Sequence, residues 1–225
     1  MSKKIIIVGS GNAALSAGIA ALEKGAEVVI YEEADQNMAG GNTKYTAGAM
    51  RFAYDKGSEL LDLLKNPNDI RIKNTDFGSY NQEQFALDLL NFNDGRPLSV
   101  EQKILVSKSY ETIQWLSSHN IKFEPIYSRQ SFLKEKKHIF WGGLTLASEN
   151  EGVGLFNQEL SAFLSLGGEI NYNSPVKKLI FNNKEVKGIF VNNKAIKADS
   201  IILASGGFEA NKQLRKTYLG DEWSK

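Results

Sequence analysis

The chain of 225 residues is 42% hydrophobic and 24% charged with a net charge of +1, the make-up of an ordinary globular protein with a sizeable core. That near-neutral balance gives no reason to expect nucleic acid or an anionic membrane surface as a partner. The absence of cysteine excludes disulfides, iron–sulfur ligation and thiolate metal sites, and with His119 and His138 the only histidines, no metal site is expected.

The chain opens Met1-Ser2-Lys3-Lys4 and passes into Ile5-Ile6-Ile7-Val8, an apolar run that predicts a buried strand. The run is far too short for a signal-peptide core or a membrane span, so a cytoplasmic protein is expected. Gly9-Ser10-Gly11-Asn12-Ala13-Ala14 follows as a G-x-G-x-x-A turn, and helix-forming residues continue to Lys24, where Gly25 stops them. Val28-Val29-Ile30-Tyr31 is a second buried strand, with Glu32 at its end. Strand, glycine turn, helix, strand and acid in this order are the βαβ fingerprint for an ADP-containing dinucleotide. Gly9 permits the tight turn, Gly11 lacks the Cβ that would block a pyrophosphate, and Ala14 lets helix and strand pack closely. Gly11, Asn12 and Ala13 open the helix, whose free N–H groups and positive dipole end suit phosphate. The Glu32 carboxylate can accept from ribose hydroxyls and would repel a 2′-phosphate, which disfavours NADP.

Next comes Gly40-Gly41-Asn42-Thr43-Lys44-Tyr45-Thr46-Ala47-Gly48-Ala49-Met50. Here the chain resembles the flavoprotein subunits of fumarate reductases and succinate dehydrogenases, which carry G-G-N-[S/T]-x-x-[A/T]-[A/G]-G. Thr46-Ala47-Gly48-Ala49-Met50-Arg51-Phe52-Ala53-Tyr54 matches the T-A-G-A-M-R-F-A-Y stretch of the tricarballylate dehydrogenase-like branch in full. The resemblance implies FAD as cofactor, Asn42 and Thr43 in contact with it, and N–H groups near Ala47 and Gly48 facing the isoalloxazine. The small residues Gly40 and Gly41 suit close backbone approach. Arg51 is a candidate for a substrate carboxylate; its alternative is an ordinary surface or phosphate-neutralising arginine.

Residues 55–150 read as mostly helical and irregular. Leu60-Leu61 with Leu63-Leu64 predicts a short helix ended before Pro67, and Gln84 to Phe92 another, ended near Asn93-Asp94-Gly95. Ser99 with Gln102 forms a capping-box signature for a longer helix to about Ser118, presenting Ile104, Leu105, Tyr110, Ile113 and Leu116. Trp115 reads as core. His138, before Trp141-Gly142-Gly143, is a candidate catalytic histidine, with a surface or core histidine as its alternative. Lys134 to His138 reads as a short charge run in a solvated loop.

From Val153 to Leu166 the pattern predicts a helix stopped by Gly167-Gly168. Strands are expected at Glu169–Tyr172, Val176–Phe181, Val186–Val191, Ala195–Ile196 and Ile201–Ala204, with Asn182-Asn183 and Asn192-Asn193 as hairpin turns. Val176 resembles the family valine whose backbone meets the adenine. Ala204-Ser205-Gly206-Gly207-Phe208-Glu209-Ala210-Asn211 resembles the family's A-[S/T]-G-G-F-x-x-N, a second backbone approach to the dinucleotide through Ala204, Gly206 and Gly207.

The expected fold is α/β: a Rossmann-like FAD-binding domain with a parallel sheet, helices and a small antiparallel β-element. The strands at 4–8, 27–31 and 201–204 should lie side by side and parallel, the first in the middle. Residues 1–225 are expected to be the N-terminal portion of one such domain, from a truncated or split gene or an excised piece. The family's capping domain and last Gly-rich motif would lie beyond Lys225. The resemblance implies an FAD-dependent oxidoreductase interconverting CH–CH and C=C bonds in a small di- or tricarboxylate. It further implies an electron-transfer partner and, for a split enzyme, a second chain supplying the capping domain. A flavoprotein with another substrate, such as a ketosteroid dehydrogenase, and a non-catalytic nucleotide-binding remnant remain as alternatives.

Overall fold

The computed structural model describes residues 2–224. The chain divides into two compact units, one containing the residues up to Asn42 and from Phe163 onward, the other Thr43–Ala162.

The first unit begins with β1 (Lys4–Val8), α1 (Asn12–Glu23) and β2 (Glu27–Tyr31). The chain then runs through the second unit: β3 (Ala49–Met50), β4 (Thr75–Asp76), α2 (Gln82–Phe92), α3 (Val100–Ser118), β5 (Phe123–Pro125), α4 (Tyr127–Gln130), β6 (Ser131–Lys134), β7 (Lys137–Phe140) and β8 (Leu146–Ser148). Helix α5 (Glu151–Ser165) starts in the second unit and ends in the first. The first unit continues with β9 (Glu169–Asn171), β10 (Val176–Asn182), β11 (Glu185–Val191), β12 (Lys194–Lys197), β13 (Ser200–Leu203) and α6 (Lys212–Leu219).

In the first unit the sheet runs β13-β1-β2-β9, all parallel. This is the order expected for the three predicted strands, with β1 between β2 and β13. Ile6 sits opposite Val29 on one side and Ile201 on the other. Ile6 and Ile7 are fully buried, as an unbroken apolar run requires when both sheet faces are covered. The strand beginning at Glu169 joins the far edge of this sheet rather than the antiparallel element. Helix α1 buries Ala14, Leu15, Gly18 and Ile19. A Cβ on Gly18 would lie 2.6 Å from the Phe163 ring, so the close packing depends on that glycine as well as on Ala14.

The antiparallel element is the meander β10-β11-β12. Its turns are Asn183-Lys184 and Asn192-Asn193, all four at positive φ, the geometry that matches hairpin twist. The first turn falls one residue later than the asparagine pair predicts. Ile189 and Val191 of β11 form a buried cluster with Ile6.

The second unit keeps residues 55–150 mostly helical and irregular, as expected, and adds short strands that the sequence did not predict. It holds two three-stranded sheets, β3-β8-β5 and β4-β7-β6, and the helices α2 and α3. The Leu60–Leu64 segment is a 3₁₀ helix, Gly57–Leu63. The capping box forms as predicted: Gln102 N–H donates to Ser99 Oγ at 3.2 Å and Ser99 N–H to Gln102 Oε1 at 3.0 Å. The inward face of α3 is Val106, Ser109, Ile113 and Leu116, however, and Ile104 and Leu105 are half exposed. Trp115 packs partly buried against the core, as read. Among the described residues no helix is long and apolar enough to cross a membrane, and no group of three or more His, Asp or Glu is placed to hold a metal ion.

Candidate cofactor-binding site

The C-terminal ends of three parallel strands meet at the first glycine turn, where open α/β sheets bind their ligands. Gly9 N–H donates to Tyr31 O, and Ala204 N–H to Val8 O, both at 2.9 Å. Gly9 has φ +98°, and a Cβ there would lie 2.5 Å from Ala204 O and 3.0 Å from Ser205 Cα. Both the dihedral and the space exclude any other residue. Gly11 then caps α1 in extended conformation, accepting Ala14 N–H at 2.9 Å and Leu15 N–H at 3.0 Å. No side chain caps this helix and its first turn carries no acid, so its positive end is left for an anion. Ala13 is exposed and Ala14 buried, which separates the open side of the turn from the packed side.

Glu32 closes β2. Its backbone is fixed by Glu32 N–H to Asn171 O at 2.9 Å and Ser174 N–H to Glu32 O at 2.8 Å. Its carboxylate accepts the Ser10 hydroxyl at 2.6 Å on Oε2 and Ala34 N–H at 2.8 Å on Oε1. Ser10 is 1% exposed, and its Oγ accepts Gly40 N–H at 3.2 Å. One hydroxyl therefore joins the glycine turn, the acid and the Gly40-Gly41 segment. Sequence reasoning passed over Ser10; the available signal was a hydroxyl enclosed by two glycines, which needs partners once buried.

Two further predicted segments meet in the same unit. Asn42 Nδ2 donates to the Glu209 carboxylate, and that carboxylate lies against Gly207, where a Cβ would collide with it. Gly206 turns through φ +76°. Val176 starts β10 opposite Val191, at a bulge, and packs half-buried on the Ile189 cluster.

Thr43, Ala47 and Gly48 belong to the second unit. Thr46 Oγ1 donates to Thr43 O at 2.9 Å and accepts Gly48 N–H at 3.1 Å. Thr46 O accepts Gly152 N–H at 3.1 Å, and Gly48 O accepts Ser148 N–H at 2.9 Å. Gly48 has φ +62°, and a Cβ on it would lie 2.6 Å from the Glu151 carbonyl carbon. A Cβ on Gly152 would lie 2.7 Å from Thr46 O. The small-residue loop is thus folded onto the first turn of α5, and Ser148 and Gly152 are the supports that sequence reasoning missed. The signal was a pair of glycines, Gly152 and Gly154, inside a helix start, where helix propensity disfavours them.

The two catalytic candidates have different surroundings. Arg51 Nη1 donates to Tyr80 Oη at 3.1 Å and lies 3.6 Å from Asp88 Oδ2, with the guanidinium over the Tyr80 ring. Tyr80 Oη donates to Asp88 at 2.6 Å, and burial together with that bond holds the phenol above its usual pKa. Arg51 therefore shares a half-exposed ion pair with Asp88. His138 lies in β7, its Nδ1 3.4 Å from Ser131 Oγ and its ring 4.7 Å from that of Tyr127.

The groups of the first unit fit a dinucleotide: a turn with glycine at Gly9 and Gly11, a helix start with no side-chain cap and an oriented carboxylate that accepts. Comparison with known proteins agrees. A family model described as FAD binding domain matches residues 4–223. A fumarate reductase (cytochrome) of Shewanella frigidimarina is 26% identical over 216 residues, covering 93% of this chain and 34% of that protein. The chain thus spans about a third of that relative's length. Among solved structures, the open conformation of a flavocytochrome c3 fumarate reductase aligns with TM-score 0.70 at 22% identity, over 98% of this chain and 37% of that one. The 3-ketosteroid delta1-dehydrogenase of Sterolibacterium denitrificans aligns with TM-score 0.72 at 15% identity, over 96% and 50%. These two likenesses show the fold.

Proposed function

The chain belongs to the FAD binding domain family, and from that premise we propose that it is the cofactor-holding portion of a flavin-dependent oxidoreductase that interconverts CH–CH and C=C bonds in a small di- or tricarboxylate. The observation that carries the reading is the meeting of Gly9, the uncapped start of α1 and the oriented Glu32 at the ends of β1, β2 and β13. The substrate class is supported by the Thr46–Tyr54 stretch and by the relative named as a fumarate reductase.

In this reading Gly9, Gly11, Asn12, Ala13 and Ala14 receive the pyrophosphate, and Glu32 accepts from the ribose. The Val176 backbone meets the adenine. Gly40, Gly41, Asn42, Thr43, Ala47 and Gly48 serve the isoalloxazine side, and Ala204, Gly206 and Gly207 make the second backbone approach. When bound, the flavin supplies the redox chemistry; the chain binds and orients it. Holding a dianionic substrate takes at least two cationic groups, and Arg51 is already paired with Asp88. Turnover is therefore not assigned to these 225 residues, and the electrons are assigned to a separate partner.

An anaerobic assay with a reduced viologen donor tests the assignment. The purified chain should take up FAD and show no turnover of fumarate, succinate or tricarballylate. Substrate-dependent turnover by this chain alone would place the catalytic groups within it and overturn that division of labour.

A further inference from the structure

Ser10 stands between the two glycines of the turn and is buried, and its side chain touches both Glu32 and the Gly40 segment. A serine hydroxyl has one proton and two lone pairs. The proton goes to Glu32 Oε2 at 2.6 Å, and a lone pair takes Gly40 N–H at 3.2 Å. With Ala34 N–H on Oε1 at 2.8 Å, the carboxylate is gripped at both oxygens. Each oxygen keeps a further lone pair for another donor. A glutamate left loose on its three side-chain torsions would have to be ordered at the moment of binding; here it is ordered in advance.

We propose that Ser10 is a positioning residue for cofactor binding: its hydroxyl holds Glu32 ready for the ribose and ties that acid to the Gly40-Gly41 turn. The inference rests on the FAD-binding reading and deepens it. Its content is that Ser10 acts through Glu32. Removing the hydroxyl strands a charged acceptor and the buried Gly40 N–H together, and such a loss costs more than an ordinary contact.

The test is a double-mutant cycle on the 225-residue chain, with FAD affinity read from flavin fluorescence quenching. Ser10→Ala should weaken FAD binding about tenfold, the usual scale for a hydrogen bond to a charged group. Glu32→Ala should weaken it at least as much. In the Glu32→Ala background, Ser10→Ala should lose much less than in the wild type, only the share that the Gly40 N–H carries, whereas damage to the fold alone would weaken both backgrounds equally. Should Ser10→Ala fail to fold, as judged by circular dichroism, Ser10→Cys keeps the site filled while donating only weakly, and the same cycle applies. Wild-type affinity in Ser10→Ala, or losses that multiply in the double variant, would overturn this inference while leaving the FAD reading standing. Failure of the wild-type chain to bind FAD would overturn both.

Discussion

Gly9 and Gly11 are both glycines of one turn, but the structure gives them different work. Gly9 is held by its positive φ and by the Ala204 carbonyl 2.5 Å from any Cβ, so it belongs to the fold. Gly11 has φ −73°, which any residue adopts, so its backbone does not demand glycine, and in the proposed reading its missing side chain leaves room for the pyrophosphate. Gly11→Val should therefore leave the circular dichroism spectrum and thermal midpoint nearly unchanged while abolishing flavin fluorescence quenching. Equal FAD titrations for variant and wild type would remove the turn from the binding site. Tyr54 supplies a test of the second unit by pH. Burial, helped by the Asp76 charge, pushes its phenol up to about 12. In the unfolded chain it titrates near ~10, so the folded state holds the proton more tightly. The stability this contributes is complete below about pH 10 and is lost as pH rises toward 12. Tyr54→Phe removes that dependence, along with the bond from Tyr54 Oη to Phe77 O at 2.7 Å. Urea melts should show the variant less stable by about 1 kcal/mol at neutral pH. Its alkaline decline should be shallower than that of the wild type, and parallel declines would contradict the burial argument. At this scale the local geometry of the candidate site was legible in the sequence, because a glycine turn between a strand and a helix, with an acid closing the next strand, is a strictly local pattern. The Ser10–Glu32 and Ser10–Gly40 bonds were not, since their partners lie 22 and 30 residues apart and nothing in the spacing marks them.

Elements were legible where one strong physical signal dominated. β1 reads as buried because both faces are covered, α3 begins at Ser99 because a hydroxyl and an amide satisfy each other's orphan groups, and asparagine takes the left-handed conformations of the hairpin turns. Strands β3 to β8 were not legible, since segments of two to four residues show no alternation and these lack the apolar run or hairpin turn signals that marked β12 and β13. The face of α3 was misread for a different reason. Ser109 points inward, where its Oγ accepts Ala53 N–H at 3.0 Å and donates to Val106 O at 2.9 Å. A polar residue that settles its own hydrogen bonds inside the core defeats a rule that counts only apolar positions. The capping box is the element-level feature open to direct measurement. Ser99→Ala should lower the stability of the second unit by about 1 kcal/mol in urea melts. FAD affinity should hardly change, because no residue of α3 is assigned to the site. A loss of affinity comparable to that of Glu32→Ala would mean that α3 supports the site directly.

For the molecule as a whole, the two units carry separate sets of family-like residues. The first holds the turn, the acid, the Gly40-Gly41 segment and the Gly206-Gly207 turn; the second holds the loop from Thr43 to Gly48, folded onto α5. The turn and the acid of the first unit suit either a nicotinamide dinucleotide or FAD, and the family match favours FAD. The central claim is thus cofactor choice, and calorimetric titration of the wild-type chain with FAD and with NAD under identical conditions tests it most directly. The account predicts saturable binding of FAD with an affinity clearly above that for NAD. NAD bound as tightly as FAD, or more tightly, would contradict it.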